Sequence, residues 1–499
     1  MAWHTAMESR IDSPADDSES LAKQVRSAVI WRSGSQILAQ LVQWGVTFLV
    51  IRLLTPADYG LFAMTQVMLC LLNMLNGHGL ASGLIQAKHV TPRDIRQLFG
   101  MLIVVNVGLG AAQFALAPVV AAYYRQPLVA DMLRVQSLSY LTTPFLALSY
   151  ALLARQMEFR QQAWVNIMSS LVGAGAALGG ALAGWGVWTL VLAPIARFTA
   201  RAIGMTIAAR AYYWPSFDFR GAGALARYGA FIAASQLFWF AQSQADVIIA
   251  GRQFAPHMLG IYTESLFLAQ VFVSKFVPPL NEVAFSAYAR LQHDDGAVAR
   301  AFVGSARMIM VLALPFYIGL AVTAEPIVLT MMGPKWAEAA PIVQLLALAM
   351  PFMTLQVLLS PVCDAIGRPE ISVRNGAAGA VILTTAYLLG AQWGATGLGW
   401  AWVIGYPVFL GVGLWRILPV IGVQASVLMR ALTPPMFAAL GMGGAVSLIA
   451  QALPPMAPAA RLAILVASGA AIYLGWLALF ARGMVGELNR TIRGRAQPA

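Results

Sequence analysis

Charge is scarce in this chain. Only 10% of its 499 residues are Asp, Glu, Lys or Arg, against roughly a quarter in soluble domains. Cysteine is scarcer still: Cys70 and Cys363 both sit in or beside apolar segments. That excludes a disulfide framework and a thiolate metal site and leaves both as packing residues. The five histidines fall in separate segments without ligand spacing, so no metal site is expected. There is no G-x-x-x-x-G-K-[ST] loop, which argues against ATP hydrolysis within the chain. The first 27 residues hold no apolar run and carry Asp12, Asp16, Asp17 and Glu19. They are not an ordinary cleaved signal peptide and read as a disordered cytoplasmic tail over 1–27. No connection is long enough to fold as a catalytic domain, so neither an enzyme nor a cofactor site is expected.

What the chain has in abundance is apolar surface. It is 59% hydrophobic, with a mean hydropathy of +0.71, more than a soluble core could hide. At about 20 residues per crossing, the pattern predicts an all-α integral membrane protein with fourteen transmembrane helices between residues 33 and 481. Lys and Arg, including Arg155, Arg160, Arg201 and Arg210, crowd one set of connections, whereas the other set holds only Arg52, Arg125, Arg134, Arg252, Lys335 and Arg461. Positive-inside bias then puts both termini in the cytoplasm. The sequence pI of about 10.0 reflects these dispersed loop cations; they form no tract that would bind nucleic acid. The longest connection, near 209–227, carries Tyr212-Tyr213-Trp214, read as an interfacial aromatic belt. It divides a six-helix lobe over 28–212 from a second over 213–420, followed by 421–499 with two further helices and a basic tail. Gly173, Gly175, Gly179, Gly180, Gly184 and Gly186 suit close helix packing better than a dinucleotide site, because no strand precedes them.

A short punctuation occurs twice, 200 positions apart: Arg52, Pro56, Gly60 and Arg252, Pro256, Gly260. Such recurrence suggests two like-built hairpins, one per lobe. Polar residues, costly inside spans, concentrate in these hairpins. Gln36, Gln40 and Gln43 stripe the first span (33–53); Gln66, Asn73 and Asn76 lie on the second (59–83). Gln236, Gln242 and Asp246 occupy the seventh (228–250), and Glu264, Gln270, Lys275, Asn281 and Glu282 the eighth (260–284). The third, fifth, sixth, eleventh, thirteenth and fourteenth spans are poorer in such groups. The four polar spans therefore read as walls of a hydrated cavity, although amides bonding helix to helix would leave the same trace. Lys275 stands mid-span, followed by Pro278-Pro279, which should interrupt the helix. It suits an anionic substrate group, or an ion pair with Glu282. Asp246, Glu264 and Glu282 are candidates for coupling to H+ or Na+, while Asp246 and Glu264 also suit pairing with Arg252 or helix capping. Arg32 and Arg307 are candidate cytoplasmic head-group contacts at positions that the positive-inside bias equally explains.

The segment Arg52-Leu-Leu-Thr-Pro-Ala-Asp-Tyr-Gly-Leu-Phe62 resembles the first interhelical turn of the MOP superfamily polysaccharide exporters, the Wzx-type oligosaccharide flippases. Asp246-Val-Ile-Ile-Ala-Gly-Arg252 with Leu259-Gly-Ile-Tyr262, Gly333-Pro-Lys-Trp336 and Ala151–Phe159 are similar to further turns of that family. The resemblance spans roughly residues 30–420. It implies two pseudo-symmetric six-helix lobes around a cationic central cavity, alternating access, and no covalent chemistry. The implied substrate is an undecaprenyl-diphosphate-linked oligosaccharide, moved across the bacterial inner membrane for O-antigen or exopolysaccharide synthesis among membrane lipids, with polymerase or export machinery as possible partners. On this analogy Lys275 meets diphosphate, while Gln36, Gln40, Gln43, Gln66, Asn73, Gln236 and Gln242 meet sugar. The first span has no internal Arg, a departure that speaks against a lipid II flippase. A MATE-type drug or cation exporter and a membrane polysaccharide polymerase are the other readings.

Overall fold

A computed structural model describes residues 40, 43–74, 84, 90–156, 158–218, 223–291 and 296–480, without the side chains of 223–237, 283 and 480. The expected tails, and Gln36, Asn76 and Arg32, lie outside the described residues. Every regular element described is helical. A bilayer demands this, because a helix satisfies its own backbone donors and acceptors.

The helices are α1 (Gln43–Leu53), α2 (Pro56–Met74), α3 (Pro92–Tyr124), α4 (Pro127–Gln136), α5 (Ser139–Arg155), α6 (Phe159–Leu182), α7 (Val187–Ala209), α8 (Gly223–Gln253) and α9 (Pro256–Leu291). They continue as α10 (Ala297–Val322), α11 (Ala324–Met331), α12 (Ala339–Val357), α13 (Leu359–Ala365), α14 (Pro369–Gly390), α15 (Gly394–Ile417), α16 (Ala425–Ala452) and α17 (Pro458–Phe480). Six of them begin on proline, whose missing N–H costs nothing in a first turn. Two starts are locked further by reciprocal capping: Thr55 with Asp58 at α2 and Thr91 with Asp94 at α3 each satisfy orphan backbone donors.

Among the described residues, nine helical segments are long and apolar enough to cross a membrane, which makes this a multi-pass membrane protein. One of the nine, Pro369–Ile417, contains both α14 and α15. The helices missing from the nine are the eight-residue α11 and α1, α2, α8 and α9, the four to which the polar residues were assigned. Pro278 and Pro279 do not interrupt α9 as expected; the helix runs through them to Leu291. They remove the N–H donors that would reach the carbonyls of Ser274 and Lys275. Packing on both sides carries the helix across: Val277 and Tyr288 are buried, and Asn281 Nδ2 donates to the Val357 carbonyl at 3.3 Å.

The chain divides into two compact units. The first takes the described residues of 1–53, 72–122 and 127–232. In it α6 and α7 pack closely: a Cβ on Gly173 would lie 2.7 Å from that of Arg197, and one on Gly180 would lie 3.0 Å from the Thr189 hydroxyl. By contrast Gly175 and Gly179 face open space. Phe99, Leu102, Leu148 and Leu152 form a core with Ala211. The segment after α7 is strapped along the start of α3 by Ser216 N–H to the Arg96 carbonyl at 2.8 Å and by the Arg93–Asp218 ion pair at 3.0 Å. Tyr212 and Trp214 stay exposed.

The second unit takes 54–71, 123–126 and 233 onward. Its α16 and α17 dock on α10 through Val311, Met442, Val446 and Leu477, and Tyr473 Oη donates to the Val311 carbonyl at 2.7 Å. The two copies of the repeated punctuation meet here. A Cβ on Gly60 would overlap the carbonyl oxygen of Pro256, and one on Gly260 would overlap that of Pro56. Only two glycines allow helix starts to cross this closely.

Candidate functional site

The second unit encloses a cavity of about 1060 Å³. Gln66 of α2, Gln242 of α8, and Gln270 and Asn281 of α9 supply amides to its wall, between faces of Phe62, Phe238, Trp239, Phe285, Trp402 and Phe409. Three carboxylates line it as well: Glu264 and Glu282 from α9 and Asp364 from α13. Among the described lining residues there is no Lys, Arg or His. Amides and aromatic faces in one wall can bind a hydroxyl-rich ligand, the amides by donating and accepting and the rings by apolar contact.

Local packing positions several of these groups. Gln242 Nε2 donates to the Gly376 carbonyl at 2.9 Å, and Gly379 leaves room for it, since a Cβ there would stand 2.7 Å from Gln242 Oε1. Asp364 accepts from Ser360 at 3.2 Å and from Ser372 at 3.3 Å. Glu264 is half-buried and makes no hydrogen bond or ion pair with any described residue. Behind the wall, Asp246 is 1% exposed. Its carboxylate accepts from Tyr262 Oη at 2.7 Å and from the Val247 N–H at 2.8 Å, while Trp402 Nε1 donates to Tyr262 Oη at 2.8 Å. Its partner is thus a tyrosine; Arg252 instead donates to the Tyr123 carbonyl and lies over the Tyr123 ring.

Of the residues singled out in the sequence, the cavity gathers Gln66, Gln242, Glu264, Gln270, Asn281 and Glu282. Lys275 is exposed on α9 and is not among the lining residues. Gln40, Gln43 and Asn73 belong to the first unit, where Asn73 is exposed. Arg307 is half-buried on α10, and the side chain of Gln236 lies outside the described residues.

Sequence reasoning missed Arg197 and Arg201. The positive-inside count assigned Arg201 to a cytoplasmic connection and passed over Arg197, yet both stand within α7 and are half-buried. Arg197 Nη1 donates to Gln43 Oε1 at 3.3 Å, whereas Arg201 Nε is buried without an acceptor among the described residues. An arginine at the centre of a membrane helix costs about 3 kcal/mol on insertion scales. Their spacing of four, one face of a span, was the available signal.

The family described as Polysaccharide biosynthesis protein matches residues 49–341, more than half the chain. The protein belongs to that family. Among relatives, it is 24% identical over 464 residues to the teichuronic acid biosynthesis protein TuaB of Bacillus subtilis, covering 91% of this chain and 95% of that one. It is 26% identical over 494 residues to the succinoglycan biosynthesis transport protein ExoT of Rhizobium meliloti, covering 96% and 98%. Its fold is similar to that of the lipid II flippase MurJ in an inward closed conformation, with TM-score 0.73, 12% identity, and coverage of 91% of this chain and 100% of that one. A multidrug resistance MATE family transporter of the MOP superfamily, inward-facing, matches with TM-score 0.59, 16% identity and coverage of 81% and 99%. This polysaccharide biosynthesis protein thus has the fold of MOP superfamily transporters. The conspicuous turns of its sequence build a structural junction. Tyr59 packs edge-on against the fully buried Trp336 at 5.5 Å, the two Pro-Gly copies interlock, and Tyr262 holds Asp246.

Proposed function

We propose that the protein is a flippase that moves undecaprenyl-diphosphate-linked oligosaccharide across the bacterial inner membrane for surface polysaccharide synthesis. It works as a secondary transporter, by alternating access and without covalent change to the substrate. The fourteen-span, two-lobe arrangement expected from the sequence belongs to this proposal, as do cytoplasmic termini and contact with polymerase or export machinery. The observation that carries it is the cavity lined by amides and aromatic faces in a member of a polysaccharide biosynthesis family. Gln66 and Gln242 contact sugar hydroxyls there, with Gln36, Gln40, Gln43, Asn73 and Gln236 as further sugar contacts on other helices. Lys275, exposed on α9, meets diphosphate, and Arg32 and Arg307 greet the head group on the cytoplasmic side. Asp246, Glu264 and Glu282 are the proposed groups for H+ or Na+ coupling.

Purified protein in proteoliposomes should expose lipid-linked oligosaccharide made by its host to an external glycosidase, and empty liposomes should not. Lys275→Ala should slow this exposure at least about tenfold, the equivalent of about 1.4 kcal/mol, at normal protein levels. Failure to translocate every lipid-linked glycan of the host would sink the proposal. A second reading, export of organic cations, is favoured by the three carboxylates and the absence of basic residues among the described lining. Accelerated efflux of ethidium from loaded proteoliposomes, with no glycan exposure, would select it.

A further inference from the structure

We infer that Arg197 and Arg201 of α7 form an anion site that takes the diphosphate of a polyprenyl carrier. This rests on the flippase reading for its ligand but on separate residues for its geometry. Helix α7 spans Val187–Ala209, about 35 Å at 1.5 Å per residue, and Arg197 is close to its midpoint. Arg201 follows one turn later on the same face. In this unit the described carboxylates are Asp94, Asp131, Glu158 and Asp218, none of them on α7. Asp94 is used by Thr91, Asp131 by Arg134, Asp218 by Arg93 and Glu158 by Gln161. None of these carboxylates neutralises the α7 pair, and Arg201 has no hydrogen bond or ion pair with any described residue.

The local structure orients these charges without cancelling them. Gln43 offers Arg197 a neutral amide oxygen, which fixes one edge of the guanidinium and leaves its charge whole. Gly173 gives the side chain its place, because a Cβ there would come within 2.7–3.1 Å of three Arg197 carbons. A planar guanidinium matches phosphate oxygens with paired donors, and two of them one turn apart present forks to adjacent phosphates. Retaining two charges inside a membrane helix is costly unless a polar ligand meets them. The described lining of the second unit's cavity holds no cation, whereas α7 carries two.

Phosphate reaches such a site from two sources, the diphosphate carrier or a bilayer phospholipid; the proposal commits to the carrier. The probe is sugar-free undecaprenyl diphosphate added to the full-length protein in detergent, with binding measured by native mass spectrometry. Wild type should bind it, inorganic pyrophosphate should displace it, and phosphatidylglycerol at equal mole fraction should not. Arg201→Gln and Arg197→Gln should each weaken binding at least about tenfold, while Arg201→Lys should retain part of it. Binding unchanged in both Gln variants, or equal displacement by phosphatidylglycerol, would overturn the site. The pyrophosphate competition needs only wild type, so a variant that fails to fold does not block the test. Arg-dependent binding without glycan transport in proteoliposomes would retain the site and sink the flippase reading; transport with Arg-independent binding would do the reverse.

Discussion

At the scale of single residues, Asp246 and Glu264 show how environment separates two carboxylates that the sequence treated alike. Asp246 is fully committed to Tyr262 and a backbone N–H, whereas Glu264 faces the cavity with no partner among the described residues. Tyr262→Phe should therefore destabilise the protein. It strands a buried carboxylate oxygen and the Trp402 N–H together, at about 1–3 kcal/mol for each unsatisfied group. Thermal unfolding in detergent should show the loss, and an unchanged midpoint would mean that water replaces the hydroxyl. Glu264→Gln keeps the shape of the side chain and removes its charge, so its effect belongs to transport and not to stability. Under an imposed H+ or Na+ gradient, glycan exposure by wild-type proteoliposomes should accelerate, and the Gln variant should lose that acceleration while keeping its unfolding temperature. An acceleration that survives in the variant removes Glu264 from coupling.

At the scale of elements, the repeated Pro-Gly starts of α2 and α9 are one contact seen from both sides, since each glycine lies under the carbonyl of the other copy's proline. Gly60→Ala or Gly260→Ala should each cost stability at or above the upper end of the roughly 1–3 kcal/mol typical of overpacking, because the obstacle is backbone and cannot rotate away. The double variant should cost little more than either single one, because the first substitution already parts the helices. Fully additive losses in a melting series would show that the two contacts yield independently. The repeat was legible in the sequence as two hairpins of like design, but the meeting of the copies was not. Pro278-Pro279 likewise read as a break, and α9 nevertheless runs through them, because packing by Val277 and Tyr288 outweighs two lost backbone hydrogen bonds.

At the scale of the whole molecule, the apolar composition and the periodic scarcity of charge determined by themselves that this chain is helical and crosses a membrane. Hydropathy is a sum over neighbours along the chain, and a bilayer leaves the backbone few other choices. Each expected span, where it falls on described residues, lies on a helix, and the short turn motifs pointed to the family that residues 49–341 match. Only the tertiary structure decided which polar side chains meet. It joined Gln66, Gln242, Glu264 and Glu282 in one wall without Lys275, tied Gln43 to Arg197 across 154 positions, and placed Tyr59 on Trp336. Such pairings depend on helix rotation and on glycine-sized gaps between elements far apart in sequence, and no local sum over residues contains that information.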